Sequence, residues 1–352
     1  MRVSLITTVK NEAESLPRLL DSIAAQTRAP DEIVVVDGGS RDATPDILRD
    51  AARRLPLRII SEPGANISQG RNAAIRAARG DIICATDAGV RLDANWVAEL
   101  VRPFEEKANA DERGKLQSES ISHPRESAST RVPNISADVV AGFFLADPHS
   151  VFETALAATT LPTLAEIQPE KFLPSSRSIA FRKSAWADVG GYPEWLDYCE
   201  DLIFDFKLRA LHRIAFAPRA RVHFRPRENL RAFCRQYYQY ARGDGKANLW
   251  RARHLIRYTT YLVVLPLTLG LIVVSPLFGL GILTVGFAAM FFAPFNRLIP
   301  MARGLTLVEK IRAGAWMPVI RVAGDIAKMC GYPVGVLWRA RHRGVDRRIA
   351  LN

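Results

Sequence analysis

From Tyr258 to Asn296 the chain carries neither a charged residue nor a histidine, a run about twice the ~20 residues one helix needs to cross a bilayer. A single straight helix does not fit that length. Ser275 and Pro276 interrupt the run near its middle, and Pro266, Gly270, Gly279 and Gly281 fall where bends are tolerated. The expected form is therefore a hairpin of two short, bent helices over about 258–296. A buried helical pair inside a water-soluble domain is the other arrangement this composition permits.

The distribution of charge bears on that choice. The net charge is +12, which suits either nucleic acid or an anionic membrane surface. Arg242, Lys246, Arg251, Arg253 and Arg257 precede the apolar run, and Arg297, Arg303, Lys310 and Arg312 follow it. Basic residues that flank apolar helices point to a membrane and away from nucleic acid, and an even number of spans puts both flanks on the cytoplasmic side. Met1 to Ile6 is too short an apolar run for a secretory signal. The expectation is a multi-pass protein of the cell membrane whose remaining part is cytoplasmic. The four cysteines, Cys84, Cys199, Cys234 and Cys330, form no CxxC pair, so neither a zinc site nor a disulfide framework is indicated.

The first hundred residues alternate β-rich runs with helical patterns, as an α/β sheet with parallel strands requires. Strands are expected at Val3 to Val9, Glu32 to Val36, Leu57 to Ser61 and Asp81 to Thr86. Between them, Ser15 can cap a helix whose Leu16, Leu19, Leu20 and Ile23 share a face, and Thr44 with Pro45 opens another. A third helix runs from about Ser68 to Arg79 and stops at Gly80. Residues 107–135 are rich in Ser, Glu, Arg and Lys and read as a flexible insertion. A strand-like run resumes at Ala137. This organisation gives a first domain over 1–245 and a membrane region over 246–352, with an interfacial or docked helix at about 313–338 that Arg321, Asp325 and Lys328 keep from spanning. The basic tail from Arg339 to Arg348 suits anionic headgroups.

Ligands of open α/β sheets bind beyond the carboxyl ends of the strands. Asp37 ends one strand and runs into Gly38-Gly39-Ser40, and Asp87 ends another and runs into Ala88-Gly89. Either aspartate alone is equally suited to capping a turn. Taken together, Thr7-Thr8-Val9-Lys10-Asn11-Glu12, Val35-Val36-Asp37-Gly38-Gly39-Ser40-Arg41-Asp42-Ala43-Thr44, Ser68-Gln69-Gly70-Arg71-Asn72 and Thr86-Asp87-Ala88-Gly89 resemble the family 2 glycosyltransferases in order and spacing. The resemblance covers about residues 1–245. It implies a GT-A fold, a Rossmann-like mixed sheet that binds a nucleotide, here followed by the helical hairpin. It also implies a UDP- or GDP-sugar donor, held by Thr8, Glu12, Asp37, Arg71 and Asp87.

The family's metal motif is Asp-x-Asp, whose carboxylates share Mg²⁺ or Mn²⁺ with the donor diphosphate. Here Asp87 is present and the third position is Gly89. The resemblance assigns the ion to Asp87 and, later in the chain, to His223, although a lone histidine near a strand end is commonly structural. Glycosyl transfer needs a base for the acceptor hydroxyl. Glu200-Asp201, after Gly190-Gly191-Tyr192-Pro193-Glu194-Trp195, matches the family's acceptor-side Glu-Asp pair, with Asp201 as the base. Acids are also favoured at this place simply because a helix begins there. Gln236-Tyr237-Tyr238-Gln239-Tyr240 stands where processive members carry Gln-x-x-Arg-Trp, and its departure from that motif argues for single additions. The implied activity is inverting, non-processive transfer to a lipid-linked or membrane-proximal glycan acceptor. A non-catalytic nucleotide-sugar-binding subunit is the alternative that Gly89 keeps open.

Overall fold

A computed structural model describes residues 1–106 and 137–342; the insertion expected at 107–135 and most of the basic tail lie outside the described residues. The chain divides into two compact units. The first comprises Met1–Leu145, Ile167–Trp195 and Glu200–Phe224, and the second Ala146–Glu166, Leu196–Cys199 and the chain from Arg225 onward.

The first unit begins β1 (Val3–Val9), α1 (Leu16–Ala24), β2 (Glu32–Asp37), α2 (Thr44–Ala51), β3 (Leu57–Ser61), α3 (Ile67–Ala77), β4 (Ile82–Ala85) and β5 (Val90–Leu92). A helix α4 covers residues 96–106 and β6 spans Val139–Ala146. The chain then supplies α5 (Val151–Thr160) to the second unit before β7 (Ile179–Arg182), α6 (Lys183–Asp188), α7 (Glu200–Leu211) and β8 (Ile214–Phe224). The eight strands form one sheet in the order β3-β2-β1-β4-β7-β6-β8-β5. β1 pairs in parallel with β2 and β4, and β2 with β3. Beyond β4 the sheet turns antiparallel, through β7 on β4, β6 on β7 and β5 on β8. This is the mixed α/β sheet expected of the GT-A resemblance.

Alternation along each strand sorts the core into two faces. Val3, Leu5, Ile33 and Val35 pack with Leu16, Leu19, Leu20 and Ile23 of α1 and with Trp96 and Phe104 of α4. Ile6, Val34, Val36 and Ile83 pack with Ala74 and Ile75 of α3 and with Phe204 and Leu208 of α7. Each fully buried Leu or Ile contributes roughly 1.5–3 kcal/mol, and the α1 face read from the sequence is one of those that hold the sheet. The caps differ. Ser15 makes no side-chain cap on α1, and its hydroxyl donates instead to the Glu12 carboxylate. Thr44 likewise turns its hydroxyl to the backbone, accepting from the Glu12 amide at 2.8 Å. α3 starts earlier than expected, because Asn66 and Gln69 form a reciprocal capping box.

The second unit is helical: α5, α8 (Leu230–Ala247), α9 (Arg251–Thr259), a π-helical turn at Thr260–Val264, α10 (Leu265–Val274), α11 (Pro276–Met301) and α12 (Leu307–Arg341). The expected hairpin is present, with its break at Ser275. Arg251–Val274 and Pro276–Met301 are both long and apolar enough to cross a membrane. The alternative of a helical pair buried in this chain does not hold, since Val273, Val274 and Leu277 are each more than 80 % exposed (84 %, 84 % and 86 %).

The helix expected at 313–338 is longer and is docked. It buries Ala313, Met317 and Ile320 beside Phe233 of α8 and Ala155 and Leu156 of α5. Glycines let the backbones touch: a Cβ at Gly331 would lie 2.2 Å from the Tyr238 carbonyl oxygen, and one at Gly335 2.1 Å from that of Arg242. For this reason α8 belongs with the C-terminal helices, and the division falls at Arg225 rather than at the boundary expected after residue 245.

Candidate active site

At the carboxyl ends of β1 and β2 two loops are sewn together. Asn11 takes a left-handed conformation (φ 57°). Its amide donates to the Ser40 hydroxyl at 2.9 Å, and its side-chain oxygen accepts from the Arg41 amide at 2.8 Å. The Ala13 and Thr44 amides both donate to Asp42, which hydrogen bonds to Thr44 and Ala13 hold below the usual carboxylate range against the opposing effect of burial. Asp37 is buried, and one of its oxygens accepts from the Gly39 amide, the Ser40 amide and the Ser40 hydroxyl at 3.1, 2.9 and 2.7 Å. The turn-capping role that the sequence left open is thus realised by one carboxylate oxygen of Asp37. Thr8 lies on β1 against α3, at a spot where a Cβ on Gly70 would come within 2.8 Å of its methyl group.

The second cluster centres on Arg71, whose side chain is 5 % exposed. It donates to Glu200 at 2.7 Å and to Asp87 at 2.8 Å. One guanidinium therefore joins three of the motifs found separately in the sequence. Burial works against its charge, but the two carboxylates outweigh burial and make it a stronger base than a free arginine. Removing one member of such a buried pair typically costs about 3–5 kcal/mol. The next residue, Asn72, anchors the acceptor-side loop: it accepts from the Trp186 indole and the Tyr192 amide, and donates to the Tyr192 carbonyl and to Glu194. That loop turns through Gly190 and Gly191, whose φ angles are +72° and +74°. A side chain on Gly191 would also strike Asn72 and Trp186.

The third element comes from Pro174-Ser175-Ser176-Arg177-Ser178-Ile179-Ala180-Phe181-Arg182, a segment that also resembles the family but whose Arg177 is given no role by the sequence. β4 and β7 pair antiparallel with Ala85 opposite Ile179. Extending that register by two residues sets Asp87 opposite Arg177. The Thr86 hydroxyl donates to the Arg177 carbonyl at 2.8 Å, and the Arg177 guanidinium reaches the second oxygen of Asp87 at 3.4 Å. The Arg177 guanidinium lies over the Phe224 ring, 4.7 Å from its centroid, and its side chain is 27 % exposed. The signal that could have found it is its distance before the Ile179–Arg182 strand, but only once that strand is known to pair with β4.

Glu200 and Asp201 open α7. Glu200 is buried against Arg71, and burial together with the neighbouring Asp201 pushes its carboxyl up to about 7 against the pull of Arg71. Asp201 is less buried, and one of its oxygens accepts from the Leu202 amide at 2.9 Å. One turn further, Asp205 is fully buried with neither oxygen hydrogen bonded. Burial and the charge of Asp201 hold it well above the usual carboxylate range.

The donor set can be tested against a divalent ion. Both oxygens of Asp87 already face guanidinium groups, and Gly89 adds no oxygen. His223 sits on β8 with its ring hydrogen bonded to Asp93 at 2.8 Å, which commits it to a partner other than Asp87. Among the described residues no group of three or more His, Cys, Asp or Glu is placed to hold a metal ion. A dication here would have to displace an arginine from the one carboxylate that remains, so these residues do not fit a protein-held metal.

The fold and the cluster together define an α/β protein whose polar site lies at the carboxyl edge of its parallel strands. Residues 4–130 match the model of glycosyl transferase family 2, and the chain carries a domain of that family. Among similar proteins is an uncharacterized glycosyltransferase of Nostoc, 30 % identical over 145 residues, a match covering 40 % of this chain and 44 % of the relative. Another is the undecaprenyl-phosphate 4-deoxy-4-formamido-L-arabinose transferase of Pseudomonas fluorescens, 36 % identical over 110 residues, covering 29 % of this chain and 32 % of that one. The chain thus spans less than half the length of either. Among solved structures, a mannosyltransferase from Pyrobaculum calidifontis in complex with GDP-Man and Mn²⁺ is similar with a TM-score of 0.49 and 18 % identity, over 96 % of this chain and 86 % of that one.

Proposed function

We propose that the chain is a glycosyltransferase that moves a sugar from a UDP- or GDP-sugar to a lipid-linked or membrane-proximal acceptor in glycan or polysaccharide biosynthesis. The observation that carries this reading is the Arg71 bridge from Asp87 to Glu200, which joins the donor-side and acceptor-side motifs in one place. Asp37, Glu12 and Thr8 line the strand ends on the nucleotide side. Asp201, beside Glu200, removes the proton of the acceptor hydroxyl as its oxygen attacks the anomeric carbon and the bond to the donor diphosphate breaks. Direct attack opposite the leaving group inverts that centre. Gln239 and Tyr240 replace the Arg-Trp pair of processive enzymes, which supports one sugar per encounter. The two apolar helices, flanked by basic residues, support anchoring in the cell membrane with the catalytic unit on the cytoplasmic side. The Pseudomonas relative, whose name specifies an undecaprenyl-phosphate substrate, supports a lipid-linked acceptor.

The test replaces Asp201 by Asn in membranes supplied with labelled nucleotide sugars. Loss of a positioned general base is expected to lower transfer by roughly 10²–10⁴-fold while nucleoside diphosphate binding is retained. Transfer at the unaltered rate would overturn the assignment. A second reading, a nucleotide-sugar-binding subunit without transfer activity, is favoured by Gly89; it predicts binding with neither transfer nor donor hydrolysis across a panel of donors and acceptors.

A further inference from the structure

Resting on the reading of the apolar hairpin as membrane-embedded, we infer that Arg251 and Arg339 bind the phosphate of an anionic phospholipid between the start of α9 and the end of α12. The two helices run antiparallel. The His254 ring stacks on that of Tyr332 with centroids 3.9 Å apart, the Tyr258 hydroxyl donates to the Met329 carbonyl at 2.6 Å, and Arg257 donates to Asp325 at 2.6 Å. Positions that rise along α9 therefore fall along α12, and the first turn of α9 is level with the last turns of α12. Helical side chains lean toward the N-terminus of their own helix. Arg251 thus leans toward the end of α12 and Arg339 back toward the start of α9, which brings two cations toward each other.

That approach is unfavourable without an anion. Burial, and after it the charge of Arg251, makes Arg339 a weaker base than a free arginine, with Tyr332 opposing them. No carboxylate is among the groups acting on Arg339, and its Nη1 is buried with no hydrogen-bond partner, a costly state for a charged donor. Arg251 is exposed and gives its Nε to the Asn248 side chain. Neighbouring cations are matched differently: Arg257 has Asp325, and Lys246 has Asp197 at 3.1 Å. Trp250 supplies no side-chain cap to α9, so the positive end of that helix adds to the field. Guanidinium groups recognise phosphate oxygens in a bidentate way, and one phosphate between these two would offset their repulsion and satisfy the buried nitrogen. The position of the pair makes that phosphate a lipid's. Arg251 is the first residue of Arg251–Val274, which is long and apolar enough to cross a membrane, so the pair stands at the level of the headgroups. Leu255, one turn into that segment on the same helix face, is 67 % exposed and offers an apolar surface to an acyl chain.

The experiment uses the full chain in a neutral detergent and reads bound lipid by native mass spectrometry and stability by the melting temperature. Phosphatidylglycerol, phosphatidylcholine and inorganic phosphate are added separately. The expected result is that phosphatidylglycerol binds and raises the melting temperature, as a ligand of the folded state must, while the other two do neither at the same concentration. Arg251→Gln combined with Arg339→Gln is expected to weaken phosphatidylglycerol binding roughly thirtyfold, about fivefold for each charge. Lys310→Gln combined with Arg312→Gln removes the same charge from the other end of α12 and is expected to retain the binding. Equal losses in the two double variants overturn the inference, as does equal binding of the two lipids. So does a wild-type melting temperature that phosphatidylglycerol leaves unmoved, a comparison that needs no variant to fold. Equal stabilisation by inorganic phosphate overturns the lipid as the occupant. A chain that alkaline carbonate strips from membranes overturns the membrane reading beneath the inference, which none of the lipid outcomes does.

Discussion

Asp87 and Arg177 stand opposite each other just beyond the paired ends of β4 and β7, and their side chains meet at 3.4 Å. The antiparallel register brings the pair together from positions that no local sequence pattern connects. Asp87 is the one residue of an expected metal motif that this chain keeps, and its partners are cations.

Gly89→Asp restores the missing carboxylate at a position with open space around it. The variant is expected to respond to Mn²⁺ more strongly than the wild type, because two carboxylates can then compete with the arginines for a hard cation. The measurement is transfer rate against Mn²⁺ concentration for both proteins. A flat response from the variant would show that residue 89 does not face the diphosphate position.

Glu200 gives the unit a pH-dependent stability. Its carboxyl lies at about 7 in the folded protein against an ordinary 4.5, so the folded state holds the proton more tightly than the unfolded one. The contribution is complete below about 4.5 and is lost as pH rises through about 7, amounting to a change on the order of 3 kcal/mol. Glu200→Gln removes this titration. Thermal denaturation from about pH 5 to pH 8 is expected to show the wild type losing ground relative to the variant, on top of a constant offset from the weakened contact to Arg71. Parallel curves for the two proteins would contradict the shift.

Asp205 carries the same sign: it is fully buried, neither of its oxygens is hydrogen bonded, and the charges of Arg71 and Arg209 offset only part of the shift. Asp205→Asn keeps the shape and cannot ionise. Its stability relative to the wild type is expected to be greater at about pH 8 than at about pH 4, because the folded wild type there either holds a proton that the unfolded chain releases or bears a buried charge. Chemical denaturation at the two pH values measures this, and a variant destabilised more at high pH than at low would exclude it.

In the helical unit, Gly335→Val inserts a side chain where even a Cβ would lie 2.1 Å from the Arg242 carbonyl oxygen. Overpacking of this kind costs typically 1–3 kcal/mol and sometimes more. The expected outcome is a lower melting temperature and early proteolysis near the α8 and α12 contact. Gly304→Val is the control, since a Cβ there meets nothing within 4 Å.

Much of the fold is legible along the chain. Strand alternation, the apolar face of α1, the break at Ser275 and the place of Asp37 and Asp87 at strand ends are local features, fixed by periods of two or 3.6 residues and by turn chemistry, whereas Arg71 was marked only by the family resemblance. The caps are less legible, because Ser15 and Thr44 have hydroxyls that serve a neighbouring loop as readily as a helix end. Composition separates the apolar hairpin from the rest, but it does not show that α8 leaves the sheet to pack on α12, a choice made by glycines about 90 residues apart along the chain, Gly245 and Gly335.

What the sequence by itself determined is which residues end the strands and which segment is too apolar and too long for one helix. What only the tertiary structure decided is who meets whom. Arg71 and Glu200 are 129 positions apart and 2.7 Å in space, His223 is taken by Asp93, and Arg177 enters the site because β7 pairs with β4 in one register. A period repeats within a segment, whereas a register is set by hydrogen bonding and packing between segments, and those energies are not written in either segment alone.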